Sequence, residues 1–212
     1  MDAVVAYREL EALVVDNSKL EHLERLLGEF NIFEAIGMVR QEIRHSHFLS
    51  YLLDPNQNHG LGDLFLQRFL QKGASQPFDH TLPVNPIELG LLDLSGMIVQ
   101  REWQNIDIFM QHDDHQIVVI IENKIGTSEH SNQLQRYWRT ASQKFPGYRL
   151  LGFYLTPDGH SPSDERYIAV DYGLVLEILE DLSSARESTL GPDILTLIQH
   201  YTAMLRRHLV ED

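Results

Sequence analysis

The chain has no cysteine among its 212 residues, which excludes disulfides and thiolate metal ligands together. It also lacks a long apolar run: no stretch reaches the roughly 18 consecutive apolar residues that suggest a transmembrane helix. The N-terminus does not show the basic-then-apolar pattern of a secretory signal, so a cytoplasmic location is the expectation. Phosphate-binding glycine loops are missing too. No GxxxxGK[ST] occurs, and Gly60-Leu61-Gly62 has no strand ahead of it, so neither an ATP site nor a dinucleotide site is expected. Positive charge is scarce, with 17 Lys and Arg against 31 Asp and Glu and a net charge of −14. Binding to phosphate backbones runs on cationic contacts, so any such affinity has to come from a local patch. Residues 124–149 supply one, with Lys124, Arg136, Arg139, Lys144 and Arg149 against Glu129 alone.

What is present suits a globular fold. An apolar fraction of 43% and a charged fraction of 23% are ordinary for such proteins, and a chain of this length fits one domain. Helical spacing predicts helices over residues 2–14 and 18–30. The second carries a stripe of Leu20, Leu23, Leu26 and Leu27 and an N-cap at Asn17 or Ser18. A third helix is expected over 33–53, stopped by Asp54-Pro55 because a residue before proline is pushed out of the helical region. A fourth covers 63–72, and 73–86 is rich in turn-formers and reads as a loop. Short β-branched runs follow at 97–103, 106–111 and 116–122, with turn-like residues such as Asp113-Asp114 between them. They are expected to pair as consecutive antiparallel strands. A helix over 129–143 is closed by Phe145-Pro146-Gly147, and strands at 149–156 and 166–170 precede helices at 174–182 and 194–208.

The expected architecture is α/β, a mixed sheet between helices. It divides into a helical part at 1–72, a sheet-containing core at 95–170 and C-terminal helices at 171–210, all within a single domain over 1–212. Strand order is not readable from one sequence. The last helix ends close to Asp212, which is compatible with the chain being the front part of a longer protein whose remainder selects a target.

One stretch carries charge in an unusual place. Residues two apart on a strand share a face, so Glu122 and Lys124 project together from the end of the otherwise apolar run Val118-Val119-Ile120-Ile121. Charges are rarely left at the edge of a buried strand unless they are paired or bind something. Asp107, within Asn105-Ile106-Asp107-Ile108-Phe109, sits on the preceding strand and is placed to lie beside them. Two converging carboxylates make an oxygen-ligand site that suits Mg²⁺ or Mn²⁺. Acid, acid and lysine at one sheet edge are the parts needed to hydrolyse a phosphodiester. The competing reading is an ion pair between Lys124 and one of the acids.

The arrangement of Asp107, then Glu122-Asn123-Lys124, resembles the acid, spacer, acid-x-lysine signature of the PD-(D/E)XK nuclease superfamily. The flanking text is similar to a branch of predicted bacterial nucleases within it. The pieces are Glu42-x-x-His45-Ser46-x-Phe48-Leu49, Leu52-Leu53-Asp54-Pro55, His59-Gly60, Ile106-Asp107-Ile108, Ile121-Glu122-Asn123-Lys124-Ile125 and Gln133-Leu134-x-x-Tyr137, spanning about 33–156. Ile106 stands where the signature has proline, a departure that touches no ligand.

The resemblance implies a restriction-endonuclease-like core of order αβββαβ with extra helices at both ends. It implies a Mg²⁺-dependent phosphodiesterase, with Mn²⁺ as substitute, acting on nucleic acid and on DNA first, in phage defence, restriction or repair. Asp107 and Glu122 would bind the metal, helped by the backbone carbonyl of Asn123, and Lys124 would position or activate the attacking water. Glu42 matches an extra acid used by many members, with Glu102 as a rival for that role. Gln133 and Tyr137, four apart on one helix face, would bind substrate or order the site, and Arg136 would contact phosphate. Leu134, Trp138 and Ala141 are expected on the other side of that helix. Relatives often dimerise to cut two strands, so a homodimer or a partner protein is an expected associate.

Eleven histidines invite a metal reading that the spacing does not support. His45 and His47 are two apart and point to different sides of a helix, and Glu42-x-x-His45 occurs once where a di-iron site needs two copies. His45, Ser46 and His59 are expected instead to cap or brace the loop at Asp54-Pro55-Asn56, near the acidic cluster. Two other functions stay open: a nucleic-acid- or protein-binding module without turnover, and a hydrolase of smaller phosphate esters.

Overall fold

A computed structural model of the protein describes residues 28–126 and 132–210. The helices expected over 2–14 and, but for its last three residues, 18–30 lie outside the described residues. Five strands form one sheet in the order β1-β2-β3-β4-β5. They are β1 (Ile98–Trp103), β2 (Ile106–His112), β3 (Ile117–Asn123), β4 (Arg149–Thr156) and β5 (Tyr167–Asp171). The first three pair antiparallel, and β3–β4 and β4–β5 are parallel. Each strand boundary falls within a residue of its expected place.

Local chemistry explains the pairing. Gln104 and Asn105 both have positive φ, 54° and 65°, the backbone of a two-residue hairpin turn whose twist matches that of the strands, and Trp103 pairs with Ile106 across it. β3 has a partner on each edge and is buried along its whole length. That double burial is why its sequence reads as one apolar run rather than an alternation.

Seven helices are described: α1 (Ile32–Ala35), α2 (Glu42–Leu53), α3 (Leu64–Gly73), α4 (Pro86–Leu89), α5 (Gln133–Lys144), α6 (Tyr172–Ala185) and α7 (Pro192–His208). The single helix expected over 33–53 is broken into α1 and α2. Gly37 adopts φ +68°, its amide donates to the Glu34 carbonyl, and the Met38 amide donates to the Phe33 carbonyl. This pair of bonds ends a helix through a left-handed glycine. The apolar spacing continues through Ile36 and Met38, so periodicity alone reads across the break. The loop expected over 73–86 leads into α4, a short helix capped by Asn85 with Pro86 in its first turn.

The sheet separates two cores. Ile108, Met110, Val119 and Ile121 face the larger one, with buried residues of α2, α3, α6 and α7. Phe109, Val118, Ile120 and Leu150 face the smaller one, under α5. Leu134, Tyr137 and Ala141 of α5 are buried together in this smaller core, so they form one stripe and not the two sides expected. At the hairpin end Trp103 and Ile106 also join it, and the Trp103 ring stacks on Phe109 at 4.1 Å. Ile108, two residues on from Ile106, faces the opposite core. This roll of the hairpin end coincides with a left-handed Glu102, φ 54°. α2 crosses β1 and β2 and so carries its first residue, Glu42, to the end of β3. Among the described residues no helix is long and apolar enough to cross a membrane.

Candidate active site

Strand register brings the two acids together. Ile108 lies opposite Ile121 across β2 and β3. One step further along the antiparallel pair, Asp107 meets Glu122, and on the other side Glu122 is level with Tyr154 of β4. Glu122 alternates with Val118 and Ile120, so it projects to the α5 side. Lys124 follows the last strand residue, and its amide still bonds to the Leu155 carbonyl at 2.9 Å. That bond holds the chain extended and returns the lysine to the face of Glu122.

The side chains then make a continuous cluster. Lys124 Nζ lies 2.7 Å from Glu122 Oε1 and 3.8 Å from Glu42 Oε2. Gln133 Nε2 donates to the same Glu122 Oε1 at 2.7 Å and to the Tyr137 hydroxyl at 2.8 Å. Asp107 Oδ2 accepts from the Asn123 amide at 2.8 Å, and Glu42 Oε1 accepts from the Ile125 amide at 2.9 Å. Glu122 is fully buried, yet its second oxygen, Oε2, has no hydrogen-bond partner among the described residues. A buried carboxylate oxygen without a partner costs free energy, so this one oxygen is an acceptor suited to a ligand.

The charges point the same way. Burial pushes the Glu122 carboxyl up to about 8, with the charge of Asp107 adding to it and Lys124 opposing it. Asp107 moves the same way, also through burial, against the Asn123 amide and Lys124. Burial pulls Lys124 down, but the charge and hydrogen bond of Glu122, with Asp107 and Glu42, carry it above its ordinary value. One ammonium thus serves one buried carboxylate and two half-buried ones, a deficit of positive charge. Among the described residues no three His, Cys, Asp or Glu side chains converge as a ready-made metal cluster. Two carboxylates with backbone and water oxygens are nevertheless the donor set that a hard ion retaining part of its hydration takes. The unpartnered Oε2 and the charge deficit fit such an ion.

The structure places the remaining expected residues unevenly. Gln133 and Tyr137 are at the cluster. Arg136 is exposed on α5 and makes no ion pair among the described residues, so it is not brought to the acids. Glu102 is exposed on β1 and acts on Asp107 only through its charge, whereas Glu42 is in hydrogen-bond contact with the cluster. His45 does not brace the loop after Asp54. It sits between the Tyr201 hydroxyl at 3.0 Å and the Val39 carbonyl at 3.2 Å. Of the three residues assigned to that loop only His59 is there, bonded to the Asp54 carbonyl at 2.9 Å and the Leu61 amide at 3.0 Å. The loop follows the far end of α2, about 18 Å along the helix from Glu42, and is not near the acids.

Sequence reading missed the side chain of Asn123. It points away from Glu122, into the larger core, where Nδ2 donates to Ser46 Oγ at 3.1 Å and the Glu42 carbonyl at 3.3 Å. Its Oδ1 accepts from the Tyr172 hydroxyl at 2.8 Å. One buried amide thus ties α2 and α6 to the end of β3. The available signal was an amide in a strand too apolar to leave it unsatisfied.

No curated protein and no solved structure matches the chain. The model of the PD-(D/E)XK nuclease superfamily matches residues 30–207, a span that contains every residue of the cluster. The mixed sheet flanked by helices, with the acids at the ends of two adjacent inner strands, is consistent with the restriction-endonuclease-like fold of that superfamily. The chain belongs to the PD-(D/E)XK nuclease superfamily.

Proposed function

We propose that the protein is a divalent-metal-dependent nuclease that hydrolyses phosphodiester bonds of DNA, in a setting of phage defence, restriction or repair. The observation that carries this reading is Glu122 Oε2, buried beside Asp107 and without a partner among the described residues. Asp107 and Glu122 would hold Mg²⁺, or Mn²⁺ in its place, with the backbone carbonyl of Asn123. When bound, the ion supplies Lewis-acid polarisation of a phosphoryl oxygen and a water of lowered pKa. Lys124 and Gln133 both engage Oε1 of Glu122, which leaves Oε2 for a ligand. Lys124 is held protonated by the acids around it, so it orients the attacking water and stabilises charge on the phosphate as a donor rather than as a base. Glu42 anchors the segment after β3 and adds negative charge beside Lys124. Tyr137 supports Gln133, and Arg136 on the exposed face of α5 contacts phosphate further along the strand. The net reaction adds water across a P–O ester bond and yields a phosphate monoester and a hydroxyl.

Incubation with plasmid and linear DNA in Mg²⁺ or Mn²⁺, against an EDTA control, tests the proposal. Cleavage should be metal-dependent and abolished in Lys124→Ala with the fold retained by circular dichroism. Undiminished cleavage in that variant removes the lysine from the mechanism. A second reading, a binding module without turnover, is favoured by the net charge of −14. Absence of both cleavage and calorimetric metal binding in the wild type would select it.

A further inference from the structure

A cavity of about 530 Å³ opens beside the C-terminal half of α5, in the size range of small-ligand sites. Neither Asp107 nor Glu122, Lys124 or Glu42 lines it. Its floor is the start of β4, where Leu150 and Gly152 share the face of Tyr154. A Cβ at Gly152 would come within 2.8 Å of the Tyr167 ring, and that ring is pinned by its hydroxyl to the Leu134 carbonyl at 3.1 Å. Gly152 thus leaves room for the Tyr167 ring, which backs the floor at this point. Trp138, Phe145, Tyr148 and Phe78 provide flat walls.

The rim is polar. Arg166 is clamped by Asp164 through Nε, at 2.8 Å, and Nη2, with its guanidinium carbon 5.1 Å from the centre of the Trp138 ring. Its remaining terminal nitrogen has no partner among the described residues. His80 and Glu165 lie 3.7 Å apart, and Ser142 completes the mouth. Flat aromatic walls select a flat ring, and this rim matches a ring whose edge carries donors and acceptors. An aliphatic occupant would desolvate the same groups without replacing their hydrogen bonds. α5 links the cavity to the acids, since Gln133 touches Glu122 and Trp138 lies five residues on. On the floor, Gly152 is level with Ile120 and Arg149 with Ile117, two and five residues from Glu122, so the cavity spans about 7–17 Å along the strand from the acids, roughly two to five base steps at ~3.4 Å each.

We infer that this cavity is a nucleobase pocket, which takes the purine or pyrimidine ring of a nucleotide about two to five steps along the strand from the reacting phosphate. The inference rests on the nucleic-acid reading above and deepens it. A base stacks between aromatic side chains as in single-strand binding sites, and Arg166 places positive charge beside the attached phosphate.

The test uses the full chain with Trp103→Phe, which leaves Trp138 as the only tryptophan. In EDTA, deoxyadenosine monophosphate is titrated against ribose 5-phosphate, which has no base, and indole emission is followed. Saturable quenching by the nucleotide alone is expected. Ser142→Phe, which fills the mouth from the helix surface, should weaken the nucleotide by about tenfold, within the range of one base–aromatic stack. No saturable quenching, equal quenching by ribose 5-phosphate, or unchanged affinity in Ser142→Phe would each overturn the pocket. Because no metal or turnover is involved, the two readings separate. Quenching without DNA cleavage leaves the pocket and removes the nuclease, and cleavage without quenching does the reverse.

Discussion

Glu42 on α2 and Ile125, two residues past β3, are joined by a hydrogen bond from the isoleucine amide to Glu42 Oε1 at 2.9 Å. The other oxygen of the same carboxylate stands 3.8 Å from Lys124 Nζ. One side chain thus has two separable jobs: it ties a helix to the end of the central strand, and it places charge at the cluster.

Two substitutions separate them. Glu42→Gln keeps an oxygen for the Ile125 amide and removes the charge, so stability by chemical denaturation should change little. Mn²⁺ affinity by calorimetry should fall by about tenfold, as for other residues that support metal ligands. Glu42→Ala loses the bond as well and should cost about 1.5–3 kcal/mol, the range for a hydrogen bond to a charged group. Wild-type metal affinity in Glu42→Gln would reduce this residue to a structural tie.

The acids should report a metal through stability. Crowding Asp107 and Glu122 around one ammonium disfavours the folded state, and a cation that binds only that state reverses the effect. At a free concentration 100 times its dissociation constant it adds ~2.7 kcal/mol. Scanning calorimetry should show the wild type melting higher in Mg²⁺ or Mn²⁺ than in EDTA. Glu122→Gln should gain nothing from metal, because the amide replaces the anionic ligand. A metal-induced rise of equal size in both proteins would place the ion elsewhere.

How much of this was legible depends on where the determining contacts lie. β4 was readable to the residue because eight consecutive positions are half-buried or buried between two neighbours, and burial on both faces writes itself as an uninterrupted apolar run. Asp107, Glu122 and Lys124 were readable because alternation places charges two apart on one face. Glu42 came only from resemblance, since nothing local tells a helix-end glutamate that it will meet residue 125. The break at Gly37 was hidden by apolar spacing that continues through it. The side-chain role of Asn123 depends on α2 and α6, which are distant in sequence. The cavity beside α5 is assembled from residues between Phe78 and Arg166, so no window of sequence contains it.

The Asn123 clamp makes a prediction about folding stability rather than chemistry. Tyr172→Phe removes one bond and should cost about 1 kcal/mol. Asn123→Ala leaves the Tyr172 hydroxyl and Ser46 without their buried partner and should cost roughly 3 kcal/mol, several such penalties combined. In a double-mutant cycle by urea denaturation the two should couple by about 0.5–3 kcal/mol, the range for residues in one hydrogen-bond network. Additive losses would mean that the amide and the phenol contribute independently.

Acid should act on the protein through His45 as well as through the carboxylates. The ring is fully buried and bonded on both nitrogens, with Nε2 at the Val39 carbonyl and Nδ1 at the Tyr201 hydroxyl. A carbonyl only accepts, so Nε2 carries the proton and Nδ1 accepts from Tyr201, which is the neutral ring. Burial lowers its pKa from 6.5 to about 4, against a smaller opposing effect of the Val39 carbonyl. The unfolded chain therefore binds a proton at higher pH than the folded one, and stability must fall as pH falls. The contribution is complete above pH 6.5, declines as the pH drops below that value, and levels off below about 4. At 1.36 kcal/mol per pH unit this is roughly 3 kcal/mol. Burial shifts His59 in the same direction, so the two losses add. The raised carboxyls of Glu122 and Asp107 work the other way over this range, so the His45 contribution is read as a difference. In urea denaturation between pH 7 and 4, His45→Gln, which keeps a polar side chain but cannot take up the proton, should lose less stability than the wild type. Equal slopes in the two proteins would show that His45 does not control the acid limb.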